Sequence, residues 1–285
     1  MTDNRFDAPA LRVVAEQLAT EAAEFVLRRR AEVFGSAVNS DGSRVRDDVR
    51  TIRSKSTPTD PVTIVDTETE RWLRERLAVL RPGEAILGEE EGGRQDGRRG
   101  LSWVIDPIDG TVNFVYGIPA YAVSVAVQYD GRSVAGAVAD VAAGEVYSAA
   151  LGHGAAVVRS GVRIPLRCSN AEDLSMALLG TGFAYDTLQR AEQAGVLAQI
   201  LPAVRDIRRI GSCALDLCMV AAGRLDAYYE AGVQVWDWAA AALIAAEAGA
   251  TVWVPSTSDI EQVAASAPGI ADALHDALAG AGMDL

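Results

Sequence analysis

Trp103-Val104-Ile105-Asp106-Pro107-Ile108-Asp109-Gly110-Thr111 is the stretch from which the rest of the chain is read. Trp103 to Ile105 reads as a short apolar strand that ends at Asp106, and a second carboxylate follows three residues later. Pro107 fixes φ and removes a backbone donor, while Gly110 lets the backbone approach a ligand closely. Two aspartates this near would repel each other if both were ionised and buried, so the pair asks for a cation. The donors are all oxygens, which select Mg²⁺, Mn²⁺ or Ca²⁺ over zinc. If Gly110 and Thr111 open a helix, their N–H groups suit a phosphate. The plainer reading of Asp106 and Asp109 is a turn followed by a cap. With two residues between the carboxylates this is not the Asp-x-Asp-x-Thr order of aspartyl-phosphate phosphatases, which disfavours a covalent aspartate intermediate.

Outward from this stretch, a Gly/Arg-rich loop (Gly92 to Gly100) precedes the strand. Tyr121 to Gln128, Ser133 to Ala139 and Glu145 to Ala150 follow it as a meander, with turns at Asp130-Gly131 and Ala143-Gly144. Upstream, residues 11 to 34 carry Leu11, Val14, Leu18, Ala22, Phe25 and Val26 at helical spacing, with Arg28 to Arg30 as a solvated cluster. Gly35 to Arg53 has no periodicity and reads as a flexible connection, and a second helix spans Thr67 to Leu80 with Asp66 as its N-cap. Downstream the pattern predicts strands at Leu174 to Leu179, Leu225 to Tyr229 and Thr251 to Val254. It predicts helices at Thr187 to Leu201, at Cys213 to Ala222 capped by Ser212 and stopped by Gly223, at Trp236 to Ala248, and at Ile270 to Ala279. A meander followed by alternating helix and strand predicts a mixed α/β chain of two abutting halves, about 1–165 and 166–285, with a site between them.

The chain has 285 residues, 49% of them hydrophobic, enough for one large core or two coupled ones. Lys plus Arg is 26 against 39 for Asp plus Glu, a formal net charge of −13 that repels nucleic-acid backbones and anionic lipid over most of the surface. Lys55 is the sole lysine, which excludes mechanisms needing several. The two histidines fall in unpromising places: His153 in a Gly-His-Gly turn and His275 in an amphipathic C-terminal stretch. A Ser/His/Asp or Cys/His triad therefore has little to build on. Cys168, Cys213 and Cys218 have neither disulfide-scaffold nor zinc spacing, so reduced thiols in the cytoplasm are expected. Met1 to Asn4 lack a leader pattern, and the longest apolar run, Trp238 to Ala246, is far short of a membrane span.

Further carboxylates could complete an oxygen-only site: Glu89 and Glu90 in Gly88-Glu89-Glu90-Glu91, Asp66, and Asp237 in Val235-Trp236-Asp237. Each has a plain alternative, as a solvated acidic turn for Glu89 to Glu91 and as helix caps for Asp66 and Asp237.

With these residues in view, the sequence resembles the inositol monophosphatase family, in its SuhB-like bacterial branch of actinobacterial type. The likeness is carried by Trp103 to Phe114 (WVIDPIDGTVNF) and by Trp236-Asp237 with the Ala-rich stretch after it. Lys55 to Asp66, Gly88-Glu89-Glu90, Arg208 to Ser212 and Gly223 to Glu230 add to it, so the match spans roughly residues 55 to 250 in family order. The resemblance implies a layered αβαβα sandwich, a single catalytic domain over 1–285, a homodimer, and Mg²⁺-dependent hydrolysis of inositol-1-phosphate or a related phosphate monoester, with lithium sensitivity. It implies a first metal on Glu89, Asp106 and the Ile108 carbonyl, a second on Asp106, Asp109 and Asp237, and a third held mainly through Glu89 and water. It places the Gly110 and Thr111 amides on the phosphate, and gives Glu89, Thr111 and Asp66 the attacking water. Arg208, Gly211, Ser212, Cys213 and Glu230 would meet the polyol, and Lys55 would sit on a loop near the metals. Arg208 could equally belong, with Arg205 and Arg209, to a subunit contact or a solvated cluster, and Cys213 could be a packed thiol. Alternatives of function are a broader phosphomonoesterase acting on fructose-1,6-bisphosphate, adenosine bisphosphate or histidinol phosphate, or a regulatory protein that docks on a partner. Glu230 favours a neutral polyol, because a second phosphate would want a basic neighbour.

Overall fold

Alternation along Ala122–Tyr129 shows why this chain forms layers. Val123, Val125 and Val127 face one apolar cluster, and Ala122 and Ala126 face another, so the strand is covered on both sides. The computed structural model describes residues 6–35, 52–54, 61–93, 100–255 and 262–283. Its elements in chain order are α1 (Ala8–Phe34), β1 (Ile52–Ser54), β2 (Pro61–Thr63), α2 (Ile64–Leu80), β3 (Ala85–Gly88), β4 (Leu101–Asp109), α3 (Thr111–Tyr116), β5 (Ala122–Tyr129), β6 (Arg132–Asp140), β7 (Glu145–Ala150), β8 (Ala155–Arg159), β9 (Val162–Pro165), β10 (Leu178–Thr181), α4 (Thr187–Ile200), β11 (Asp206–Arg208), α5 (Cys213–Ala221), β12 (Ala227–Ala231), α6 (Val235–Glu247), β13 (Thr251–Trp253), β14 (Gln262–Ser266) and α7 (Ala271–Gly280).

Strands β3 to β9 make a seven-stranded sheet in sequence order, antiparallel except for the parallel pair β3 and β4. A five-stranded sheet runs in the order β11-β10-β12-β14-β13. Helices α1 and α2 cover the outer face of the first sheet, burying Leu11, Leu18, Leu73 and Leu77 against Trp103, Ile105 and Val125. Helices α5 and α6 lie between the two sheets, and α7 packs under the second through Leu274 and Leu278. The order of layers is αβαβα, as the resemblance implies.

The central helix α6 is built for this position. Ala239, Ala240, Ala241 and Ala245 are buried, and Gly136 on β6 leaves so little room that a Cβ there would come 3.0 Å from Ala240 Cα. Small side chains on both partners let the helix seat directly on the sheet.

Several local readings need correction. Asp66 is not the cap of α2: Thr63 is, and Asp66 stands at the third helical position as the returning half of a capping box. Asp237 has the same place in α6, with Gln234 as cap. The expected strand at Leu174 to Leu179 is a 3₁₀ turn over Leu174–Met176 followed by β10, and Asp173 caps the turn. Helix α2 also begins three residues before Thr67, and β4 continues through Asp109 rather than ending at Asp106. Strand β1 overlaps the end of the expected flexible connection. Residues 36–51, Lys55 and Met1 to Asn4 lie outside the described residues.

Glu16 ties α1 to the far edge of the first sheet. It accepts from Arg12 Nε (3.0 Å), Ser148 Oγ (2.5 Å) and both terminal nitrogens of Arg163 (2.8 and 2.6 Å). Burial pushes this carboxyl up, but the donors from Arg163 and Ser148 outweigh it and hold the group below the usual carboxylate range. A depressed folded-state pKa contributes stability above the unfolded value and loses it as pH falls through the folded one. Glu16→Gln is therefore expected to lower Tm by about 2–4 °C at neutral pH. The gap from the parent should close on acidification below the carboxylate range, and a gap constant with pH would contradict this account.

Candidate active site

The motif's two aspartates are three apart, and in a regular strand residues at odd spacing face opposite sides. The structure resolves this with a bulge. Against β5, Asp106 pairs with Ser124 and Asp109 with Ala122, so three steps on β4 span two on its partner. Pro107, which has no N–H for the ladder, falls in the bulge, and the Ile108 N–H turns back to Asp106 Oδ1 at 3.0 Å. Both carboxylates thereby reach one cavity of about 530 Å³, together with Glu89, Thr111, Cys213, Glu230 and Asp237.

Asp106, Asp109 and Asp237 each offer an oxygen within 4.8 Å of the others'. This is a donor set for a hard cation, drawn from β4 and from the first turn of α6. Without a cation such a cluster resists ionisation. Burial pushes Asp106 well up, reinforced by Glu89, Asp109 and Asp237. Asp237, although partly open to the cavity, is likewise raised by burial and then by Asp109 and Glu89. Burial moves Asp109 up to about 7, even though Ser212 Oγ and the Ala214 N–H donate to its Oδ2 at 2.5 and 2.7 Å. Ser212 also accepts the Leu215 N–H as cap of α5. It therefore orients Asp109, a role the reading of Ser212 as a polyol contact did not contain.

Thr111 opens α3 behind Gly110, whose left-handed φ of 93° suits glycine. A Cβ at Gly110 would come 3.0 Å from the Ala120 carbonyl oxygen and 3.1 Å from that of Gly211. Thr111 Oγ1 stands 3.1 Å from Asp66 Oδ1 and 3.0 Å from the Ile108 carbonyl oxygen. Asp66 is enclosed behind it, its other oxygen accepting the Thr63 N–H and hydroxyl at 2.9 and 2.5 Å.

The other end of the cavity holds Glu230, which accepts Tyr228 O–H at 2.5 Å. Burial raises its carboxyl, while Tyr228 and then Arg209 oppose that rise. Gly211, Ser212 and Cys213 also line the cavity, with burial raising the Cys213 thiol. Arg208 does not line it: its guanidinium turns to Asp206 on its own strand at 2.7 Å, and the neighbouring Arg209 lines the cavity instead. His153 and His275 stand apart from it, and the three cysteines are unpaired. Lys55 lies outside the described residues.

The sequence reading missed Tyr228, which holds Glu230 from behind the cavity, and, in the lining itself, Arg209 and the wall from Phe183 to Asp186 and Gln189. Tyr228 had a signal, since it lies two residues from Glu230 on one strand and so shares its face. The Phe183 wall follows the carboxyl end of β10, where open α/β sheets place ligands.

The Inositol monophosphatase family profile matches residues 7–281. An inositol-1-monophosphatase of Mycobacterium leprae (strain TN) is 65% identical over 281 residues, covering 95% of this chain and 94% of the relative. The solved structure of Mycobacterium tuberculosis SuhB superposes with a TM-score of 0.81 at 58% identity, covering 98% of both chains. A Nus factor SuhB of Pasteurella multocida (strain Pm70) is 40% identical over 225 residues, covering 79% of this chain and 82% of that one.

Proposed function

This chain belongs to the inositol monophosphatase family, and from that membership we propose that it hydrolyses inositol-1-phosphate to myo-inositol and phosphate with Mg²⁺, by direct attack of water. It is a phosphoric monoester hydrolase. The observation that carries the reading is the cluster of Asp106, Asp109 and Asp237 oxygens in one cavity with Thr111 and Glu230.

The buried all-oxygen donor set fits Mg²⁺, which Asp106, Asp109 and Asp237 would hold, with Glu89 beside them. When bound there, Mg²⁺ supplies neutralising charge for the phosphate and the leaving alkoxide and lowers the pKa of water. The chain's own groups do the rest. Asp66 draws the Thr111 hydroxyl proton toward itself, which leaves Thr111 Oγ1 free to accept from the attacking water. Glu89 takes the proton that water gives up. The N–H groups that begin α3 have no partner within the helix and face the phosphate. Glu230, held by Tyr228, accepts polyol hydroxyls, with Gly211 to Cys213 forming the adjoining wall. The same reading makes the chain one catalytic unit, a homodimer, cytoplasmic and lithium-sensitive.

Phosphate release with and without Mg²⁺ tests the proposal, using inositol-1-phosphate, fructose-1,6-bisphosphate, adenosine 3′,5′-bisphosphate and histidinol phosphate. Preference for the inositol ester supports it, and equal use of all four points to a broad phosphomonoesterase. Failure on all four in Mg²⁺ leaves the second reading, docking on a protein partner, which the Nus factor relative favours. With a net charge of −13, that partner would be a basic protein surface.

Glu230→Ala is expected to raise KM for inositol-1-phosphate about tenfold and to leave KM for a simple aryl phosphate near the parent value. An equal change for both substrates would remove Glu230 from polyol recognition. Gly182→Ala should mimic it, because a Cβ at residue 182 would overlap the Glu230 carboxylate.

A further inference from the structure

Glu70 stands on α2, outside the cavity, and no reacting group touches it, yet it is fully buried. A carboxylate in that position needs donors, and it has them. Its Oε2 accepts the Glu90 N–H at 2.6 Å, and its Oε1 accepts the Glu91 N–H and Arg74 Nε, both at 2.9 Å. Glu89 to Glu91 form a turn at the end of β3, closed at its neck by the Gly88 N–H on the Gly92 carbonyl at 3.0 Å. Arg74 Nη2 donates to the same Gly92 carbonyl. The Glu70 carboxylate thus fills the inside of the turn, and it fits because residue 88 is glycine. A Cβ at Gly88 would overlap that carboxylate, whose atoms are its three nearest neighbours.

The parallel register sets Gly88 opposite Ile105, which brings Glu89 next to Asp106 at the same cavity. Glu89 faces the aspartate cluster and is repelled by it, a push that would swing its turn outward, while Glu91 pairs with Arg71 and Arg74. Charge-assisted bonds from two backbone N–H groups to Glu70 oppose that swing. We infer that Glu70 is a positioning residue that presets Glu89 for the cation, by gripping the Glu89–Glu91 turn from within. The inference rests on the reading of Glu89 as a cation-binding group.

In Glu70→Gln an amide NH₂ replaces one oxygen and faces a backbone N–H, donor against donor, so one hold on the turn is lost. The test is direct Mn²⁺ binding by electron paramagnetic resonance, with the Mg²⁺ half-saturation of turnover measured alongside and Asp109→Asn as reference. Second-sphere losses of this kind run at roughly 10–100-fold, so Mn²⁺ affinity is expected to fall at least about tenfold while near-UV circular dichroism is unchanged. Gly88→Ala should show the same loss, and Glu70→Ala combined with Gly88→Ala should be no worse than the poorer single variant. If Glu70→Gln does not fold, Arg74→Gln carries the test. That side chain is 21% exposed and flanks the same carboxylate, so a several-fold loss of Mn²⁺ affinity is expected. Parent-like Mn²⁺ affinity in the folded variant, with only a lower Tm, overturns the inference and leaves Glu70 a structural group. Weakened Mn²⁺ binding in a protein that cleaves no phosphomonoester would uphold Glu70 while removing the phosphatase reading.

Discussion

Asp109→Asn is expected to lower turnover by about 10³-fold or more while making the cation-free protein more stable. The two effects share a cause. Asp109 is one of three carboxylates whose oxygens lie within 4.8 Å, and it is buried with them. A neutral amide removes one arm of the donor set and also removes a charge that its neighbours repel. The substituted side chain keeps an oxygen to accept from Ser212 and Ala214, so the cap of α5 survives. In EDTA the gain should be about 1–2 kcal/mol, within the usual range for relieving a strained site. Calorimetry in EDTA together with phosphate release in Mg²⁺ checks both halves. Retained turnover would show that Asp109 is not needed to hold the cation.

The largest structural effect is expected from Trp103→Ala, at about 3–5 kcal/mol. Trp103 is fully buried on β4 under α1 and α2, and its Nε1–H donates to Glu84 Oε2 at 2.6 Å. Truncation leaves a large cavity and takes one donor from Glu84, which keeps its pairing with Arg81. The loss is a substantial part of a typical domain's roughly 5–15 kcal/mol, and it falls on the strand that delivers Asp106 and Asp109. Urea unfolding should show a lower midpoint with unchanged slope. Trp103→Phe should recover most of the packing and miss mainly the indole donor. A midpoint within error of the parent would mean that the site's strand is held by something other than this side chain.

Which features could be read in advance follows from what each motif encodes. The meander from Ala122 to Ala150 and the helices α1, α4, α5 and α6 carry their periodicity and stops in local composition, so their ends fall within a few residues of the expected ones. Strands β1, β2, β3, β8, β9, β11 and β14 were not anticipated. They are three to five residues long, too short for alternation to register, and β9 is exposed throughout. The caps misled because Asp66 and Asp237 are good capping residues. The competing Thr63 and Gln234 take that place because each is followed three residues later by an aspartate that reaches back. At the site, the bulge at Pro107 cannot be read from composition, since it exists only relative to β5. Arg208 and Arg209 are adjacent basic residues, and their roles differ by which way the chain turns after β11. That is a tertiary fact with no local signature.

Helix α6 has sheet above it and sheet below it. A surface helix can absorb a longer side chain by swinging it into water, whereas α6 has no wet flank along Ala239 to Ala245. Any added methyl group there must displace a sheet or the neighbouring α5, and Asp237 rides on the same helix. The element that presents Asp237 to the cavity therefore has little latitude for longer side chains. The wall after β10 and the first turn of α4 have more room to vary, since Asp186 and Gln189 border the cavity there and one face of the helix meets solvent.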